Sequence, residues 1–167
     1  MKNKKYKTIK LLFVFLAIIF IIFGIIKYAK KLLQNQKDDD MKTGMLMIQA
    51  KIKILKGKSE VNANTNEYLG KKVTDENNQQ INELLKKIKI PENEFQDYYI
   101  LKKSDFETMG ITAEVNNIED NNYIVNYNTA EVIYTKGIAK NNKTLYKLSD
   151  LIKEDKKIWI LYERIEV

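Results

Sequence analysis

Two clusters of side chains have the types that chemistry needs. Asp38-Asp39-Asp40 sets three carboxylates in a row, and Glu119-Asp120-Asn121-Asn122 offers four oxygen-bearing side chains of the kind that hold calcium. Neither has the alternating acidic spacing and turn glycine of a dedicated calcium loop. The first therefore reads as a solvated run and the second as a turn before a strand. Nucleophiles are few: Ser59, Ser104 and Ser149 are the only serines, and histidine and cysteine are absent. That absence removes the commonest general base, thiol chemistry, disulfides and nearly all zinc and iron sites. A serine–lysine dyad is the remaining nucleophilic option, and no motif supports one. Ser104 and Ser149 read as helix caps. The six glycines are scattered and form no phosphate-binding loop. No catalytic, cofactor-binding or metal-binding residue is assigned, no cofactor is expected, and the chain reads as a non-enzyme.

Aromatic residues raise a different chemistry. Tyr98, Tyr99, Tyr123, Tyr127, Tyr134, Tyr146 and Tyr162 are interleaved along the C-terminal half, as in a platform for stacking bases. Charge argues against nucleic acid as a partner. The net +7 divides into nine lysines without an acid in residues 1–37, and 20 basic against 22 acidic residues in the rest. A slightly acidic body has no electrostatic footprint for phosphates. The tyrosines read as cross-strand and core packing instead.

The elements that must carry these side chains begin with an apolar segment. Residues 11–26 read LLFVFLAIIFIIFGII, bracketed by Lys10 and Lys27. Sixteen residues fall short of the roughly 20 that span a bilayer, but Ile9, Tyr28 and Ala29 extend the run and the flanking lysines can snorkel. The expected divisions are a cytoplasmic basic region at 1–10, a transmembrane helix at 11–29, a charged juxtamembrane segment at 30–40 and an extracytoplasmic domain at 41–167. The exit Lys27-Tyr28-Ala29-Lys30-Lys31 lacks the small-residue pair of a signal-peptidase site, so an uncleaved single-pass anchor in the cytoplasmic membrane is expected. The higher lysine density before the span puts the N-terminus inside.

In the body, Met41, Met45, Ile48, Ile52 and Leu55 recur at helical spacing, with Gly57 as the stop and a loop over 58–74. Thr74 or Asp75 is expected to cap a second helix carrying Ile81, Leu84, Leu85 and Ile88, which Pro91 ends. Strands are expected at Tyr98–Leu101, Tyr123–Tyr127, Glu131–Thr135, Thr144–Leu148 and Ile158–Tyr162. The last, IWILY with Trp159, is apolar on both faces and reads as a buried core strand. Ser104 and Glu107 form a capping box, Gly110 a C-terminal stop, and Asn128-Thr129-Ala130 a three-residue hairpin turn. Helices followed by antiparallel strands define an α+β class.

This order resembles the type IV pilins and type II secretion pseudopilins. A short basic leader and an apolar helix precede DMKTGMLMIQAKIKILKGK (40–58). YYILKKSDFETMGI (98–111), NYIVNYNTAEVIYTKG (122–137) and TLYKLSDL (144–151) then resemble the C-terminal β-region of such proteins. The resemblance departs at the leader. The family's glycine before the cleavage point, the following aromatic residue and the glutamate four positions later align with Lys5, Tyr6 and Lys10. The prepilin cleavage motif is thus lacking, which argues against peptidase processing and ordinary filament assembly. A glycine is also expected where Ala130 stands. The resemblance implies a non-catalytic membrane-anchored component of an envelope secretion or pilus-type assembly, whose partners are membrane lipid and other envelope-assembly proteins or copies of itself. An anchored ligand-binding or sensing module is the alternative.

Overall fold

The structure, a computed structural model, describes the backbone of residues 2–62, 68–113, 115–141 and 143–163, and within these the side chains of 15–16, 18–62, 68–113, 115–141 and 143–157. The chain divides into two compact units, Met1–Asp38 and Asp39–Val167. Helix α1 is assigned to Lys2–Val61.

In the first unit every residue from Lys2 to Asp38 is helical. Large apolar side chains stand uncovered along it, among them Phe15 at 64% and Phe20 at 74% exposure, with Phe23, Ile25, Tyr28, Leu32 and Leu33. Among the described residues no helix is long and apolar enough to cross a membrane. The side chains of residues 11–14 and of Ala17, within the apolar run, lie outside that description.

The second unit is α+β. Its five-stranded antiparallel sheet comprises β1 (Lys71–Lys72), β2 (Tyr98–Leu101), β3 (Tyr123–Asn126), β4 (Glu131–Lys140) and β5 (Lys143–Lys147), in the spatial order β1-β2-β3-β4-β5. Each strand therefore pairs with its predecessor. Period-two alternation sorts the side chains between two cores. On one face Leu101, Tyr123, Val125, Val132 and Tyr134 meet Met41, Met45, Ile48 and Ile52 of α1. The same core takes Phe106 and Met109 of α4 (Lys103–Met109), and Leu148 and Leu151 of α5 (Leu148–Glu163). On the other face Tyr98, Ile100, Ile124 and Ile133 meet Ile81 and Leu85 of α3 (Gln79–Lys87), with Val73 of α2 (Val73–Glu76) and Phe95 of the 3₁₀ turn Glu92–Asp97. The four-three spacing from Met41 to Leu55 is thus a sheet-facing stripe, with Leu55 partly buried at its end.

Several local expectations are corrected. Ile158–Tyr162 is not a strand but the last part of α5. Leu148, Leu151 and Ile152 already follow helical spacing, and no glycine or proline interrupts the chain before Tyr162, so the helix propagates through the apolar run. Gly57 does not stop α1, which ends at Val61. An interior glycine costs only about 1 kcal/mol relative to alanine. The stretch read as a loop over 58–74 contains the end of α1, β1 and the start of α2. The helix expected from Thr74 or Asp75 is broken: Asn77 is left-handed, and Asn78 caps α3 by accepting from the Ile81 amide at 3.2 Å. It ends before Pro91, at Ile88, where Lys89 turns left-handed. The expected Ser104–Glu107 capping box does not form; the N-cap of α4 is Lys102, whose amide donates to the Asp105 carboxylate at 2.7 Å, and lysine has no side-chain acceptor to complete a box.

The hairpin between β3 and β4 is four residues long, because Asn126 pairs with Glu131. Asn126 Oδ1 accepts from the amides of Asn128 (2.9 Å) and Thr129 (3.0 Å). Ala130 has φ +56°, so alanine occupies the left-handed position that favours glycine, at a strain of about 1–2 kcal/mol.

Candidate functional site

Asp39 and Asp40 are exposed, as a solvated run would be, whereas Glu119 and Asp120 are hydrogen-bonded within the fold. Asp38 accepts from Gln34 one helical turn earlier (2.8 Å), and the Asp39 carbonyl accepts from the Thr43 hydroxyl (2.9 Å). Asp120 Oδ1 accepts from the Lys103 amide (2.9 Å), so it caps α4 from a distant loop. Glu119 accepts from Lys136 (2.8 Å) and from the buried Asn122 (3.2 Å). The bond from Lys136 holds the Glu119 carboxyl below its ordinary range, with Asn122 assisting. Among the described residues no three carboxylates gather closely enough to hold a metal ion.

The serines are placed in backbone roles. The Ser104 carbonyl accepts from the Thr108 hydroxyl (3.0 Å), so this residue lies inside α4 rather than at its cap. The Ser149 amide donates to Glu131 at 3.1 Å, which places this residue in the first turn of α5.

Four of the seven interleaved tyrosines are core. Tyr98, Tyr123, Tyr127 and Tyr134 are buried in the sheet and cannot stack on bases. Tyr123 donates to the Asn116 carbonyl at 2.6 Å. The side chain of Tyr162 lies outside the described residues.

One group of tyrosines shapes a concavity. Tyr68 stacks on Tyr127 with centroids 4.1 Å apart and planes within 7°. Tyr99 presents its edge to both, at 5.8 Å and 82° to Tyr68 and 5.2 Å and 89° to Tyr127. These offset and perpendicular contacts suit the ring quadrupoles. The Tyr127 hydroxyl accepts from the Leu69 amide (2.8 Å) and donates to its carbonyl (3.1 Å), tying this segment to the sheet. A cavity of about 210 Å³ opens beside the rings, bordered by Lys72, Gln96, Asp97 and Asn128. Aromatic walls with an amide and carboxylate rim can hold a small planar or hydroxyl-rich group. The sequence reading missed Tyr68, Lys72, Gln96 and Asp97 as neighbours of Tyr99 and Tyr127. A shallower groove of about 250 Å³ lies between α3 and β5, where Lys87 donates to the Tyr146 hydroxyl (2.9 Å).

A charged junction lies elsewhere in the unit. Asp155 of α5 accepts from Lys42 of α1 and from Lys140 of β4, and its side chain is 23% exposed. Burial pushes its carboxyl up, but the two ammonium groups outweigh that and hold it below the ordinary carboxylate range. The group joins three elements by charge-assisted bonds.

No protein-family model, curated protein or solved structure matches this chain.

Proposed function

We propose that the chain is a non-catalytic single-pass membrane protein whose domain after residue 40 lies outside the cytoplasm and serves as a pilin-like component of an envelope secretion or pilus-type assembly. The observation that carries this reading is the uncovered apolar helix of the first unit. Each fully exposed Phe, Ile or Leu forgoes about 1.5–3 kcal/mol that burial would release, and the first unit exposes many of them. A lipid environment covers them all, and Lys10 and Lys27 bracket the run at headgroup depth. The pilin-like reading is further supported by the second unit, where the α1 stripe Met41–Ile52 packs across an antiparallel meander.

The chain has no cysteine, so a single Lys143→Cys substitution gives a clean topology probe. The expected result is recovery of the full chain in the membrane pellet, with residue 143 labelled by an impermeant thiol reagent in intact cells. A chain that stays in the supernatant without detergent refutes the anchor, and a protected residue 143 refutes the orientation. Membrane crosslinking that recovers no envelope-assembly partner and no self-contact refutes the assembly role.

The tyrosine-lined cavity favours a second reading, an anchored module that binds a small ligand. A ligand-dependent rise in the melting temperature of the full chain, abolished by Asp97→Ala, would select it.

A further inference from the structure

Within the second unit, helix α1 is apolar on two opposite sides. Met45, Ile48 and Ile52 are buried against the sheet. Met47, Ala50 and Ile54 each follow one of these by two positions, about 200° around the helix, and stand exposed on the far side. The exposed Thr43 follows Met41 in the same way, and its hydroxyl is already bonded to the Asp39 carbonyl (2.9 Å). Leu46 adds an exposed apolar side chain at the margin of this stripe. A surface helix that buries one stripe in its own core ordinarily turns a polar face to water.

Charges of opposite sign bound the stripe. Asp39 and Asp40 precede it, and Lys53 and Lys58 flank its other end. All four are exposed, and among the described residues none of them forms an ion pair. Their order selects an orientation. In a parallel pair in register, each carboxylate would lie beside its own copy and each ammonium likewise, which repels. A two-fold axis normal to both helices reverses the direction and leaves each flank beside the same flank of the other copy. Asp40 and Lys58 are about five full turns apart, so they share one flank and meet across the axis. Asp39 and Lys53, about four turns apart, lie on the other margin and do the same. The two couples are centred at about residues 49 and 46, so the axis passes beside Met47. Met47 then lies against the partner's Ala50, and Thr43 against the partner's Ile54. This is the self-complementarity that a two-fold interface requires, with each contact made twice.

We propose that residues 39–58 of α1 pair antiparallel with the same segment of a second copy of this chain, Asp39 and Asp40 of each copy facing Lys53 and Lys58 of the other. The pair names a partner for the assembly reading and rests on that reading for its role, but it involves no residue of the first unit.

The chain has no cysteine, so single substitutions map the pair. The full chain in non-ionic detergent at low salt is oxidised and run on a non-reducing gel. Met47→Cys, beside the axis, is expected to give a disulfide-linked dimer, and an equal mixture of Thr43→Cys and Ile54→Cys a mixed dimer. Val61→Cys is expected to stay monomeric, because the two copies of residue 61 are about 40 Å apart in an antiparallel pair. Asp39→Lys with Asp40→Lys, placed on the Met47→Cys chain, lowers the dimer yield about fivefold or more, and so does Lys53→Asp with Lys58→Asp. Mixing these two charge-reversed chains restores it, since every facing couple is again of opposite sign. A self-linked Val61→Cys dimer shows a parallel pair and overturns the proposal, as does a Met47→Cys chain that stays monomeric or charge-reversed chains that dimerise unchanged. Membrane crosslinking separates this from the assembly reading: a chain that captures other envelope proteins while Met47→Cys stays monomeric overturns the pair alone.

Discussion

Raising the pH above the ordinary tyrosine range should unfold the second unit, with a slope that two side chains dominate. Tyr123 and Tyr127 are 0% and 1% exposed. Burial pushes both hydroxyls well above the ordinary value of 10.0; Tyr134 nearby adds to this for Tyr123, and the bond to Leu69 partly offsets it for Tyr127. A raised folded pKa means that stability is fully present below the unfolded pKa and is lost as pH rises beyond it. The unfolded chain releases phenolic protons that the fold retains, so the unfolding free energy falls. Well above the unfolded pKa one such group changes stability by about 1.4 kcal/mol per pH unit; between pH 10 and 11, where the unfolded hydroxyls are still titrating, the two together change it by about 2 kcal/mol. Tyr98, Tyr99 and Tyr134 are also raised, first by burial, and act in the same direction. The assay is urea denaturation of the full chain in a non-ionic detergent, followed by circular dichroism, with tyrosinate absorbance read in parallel. The expected midpoint is nearly constant up to about pH 9.5 and falls steeply above 10. Tyr123→Phe and Tyr127→Phe each lower the slope by about 1.4 kcal/mol per unit. If tyrosinate absorbance reached its full amplitude before any loss of structure, these hydroxyls would not be held protonated by the fold, and the reasoning would fail.

Three further substitutions test particular contacts. Gly137 has φ +71°, and a Cβ there would lie 2.4 Å from Thr144 Cγ2; Gly137→Ala should cost about 2–4 kcal/mol in the same denaturation assay, from left-handed strain and overpacking. Asn126→Ala removes the acceptor of two turn amides and should cost about 1–3 kcal/mol; an unchanged midpoint would show that water replaces it. Asp155→Asn leaves Lys42 and Lys140 without a carboxylate and should cost about 1–3 kcal/mol at neutral pH. Because the Asp155 carboxyl is held low, its contribution is present above the unfolded pKa and lost as pH falls through the folded one. The substitution should therefore flatten the acid limb of the stability profile.

The legible parts of the fold are those with a long, single-period signal. Met41, Met45, Ile48 and Ile52 repeat over about three turns and all are buried. Tyr123, Val125, Val132 and Tyr134 alternate and share one face. Where a run is short, period alone does not choose. IWILY fits a buried strand in isolation, and its helical state comes from Leu148 to Lys157 before it. Strand β1 is two lysines, with no apolar signal; only pairing with Tyr99 and Ile100 makes it a strand. Asn77-Asn78 hides a helix break because asparagine serves equally as an interior residue, a left-handed residue and a cap. The tyrosine cavity was half visible. Tyr99 and Tyr127 stood out as aromatic residues, but Tyr68 stacks on Tyr127 from far away in the sequence, as Leu69 beside it bonds Tyr127 across 58 positions. Such a meeting is a property of topology, not of spacing. Asp155 was invisible for the same reason, since its partners lie on α1 and β4.

The sheet's margins bear on how copies of this chain could join. One border is the lysine pair Lys71-Lys72, too short to template a neighbour, and the other is Lys143–Lys147, with lysine at both ends. Short, cationic borders disfavour the addition of a foreign strand. A polymer of this domain would therefore be knitted through helices and side chains, and its subunits could part without breaking a shared backbone ladder.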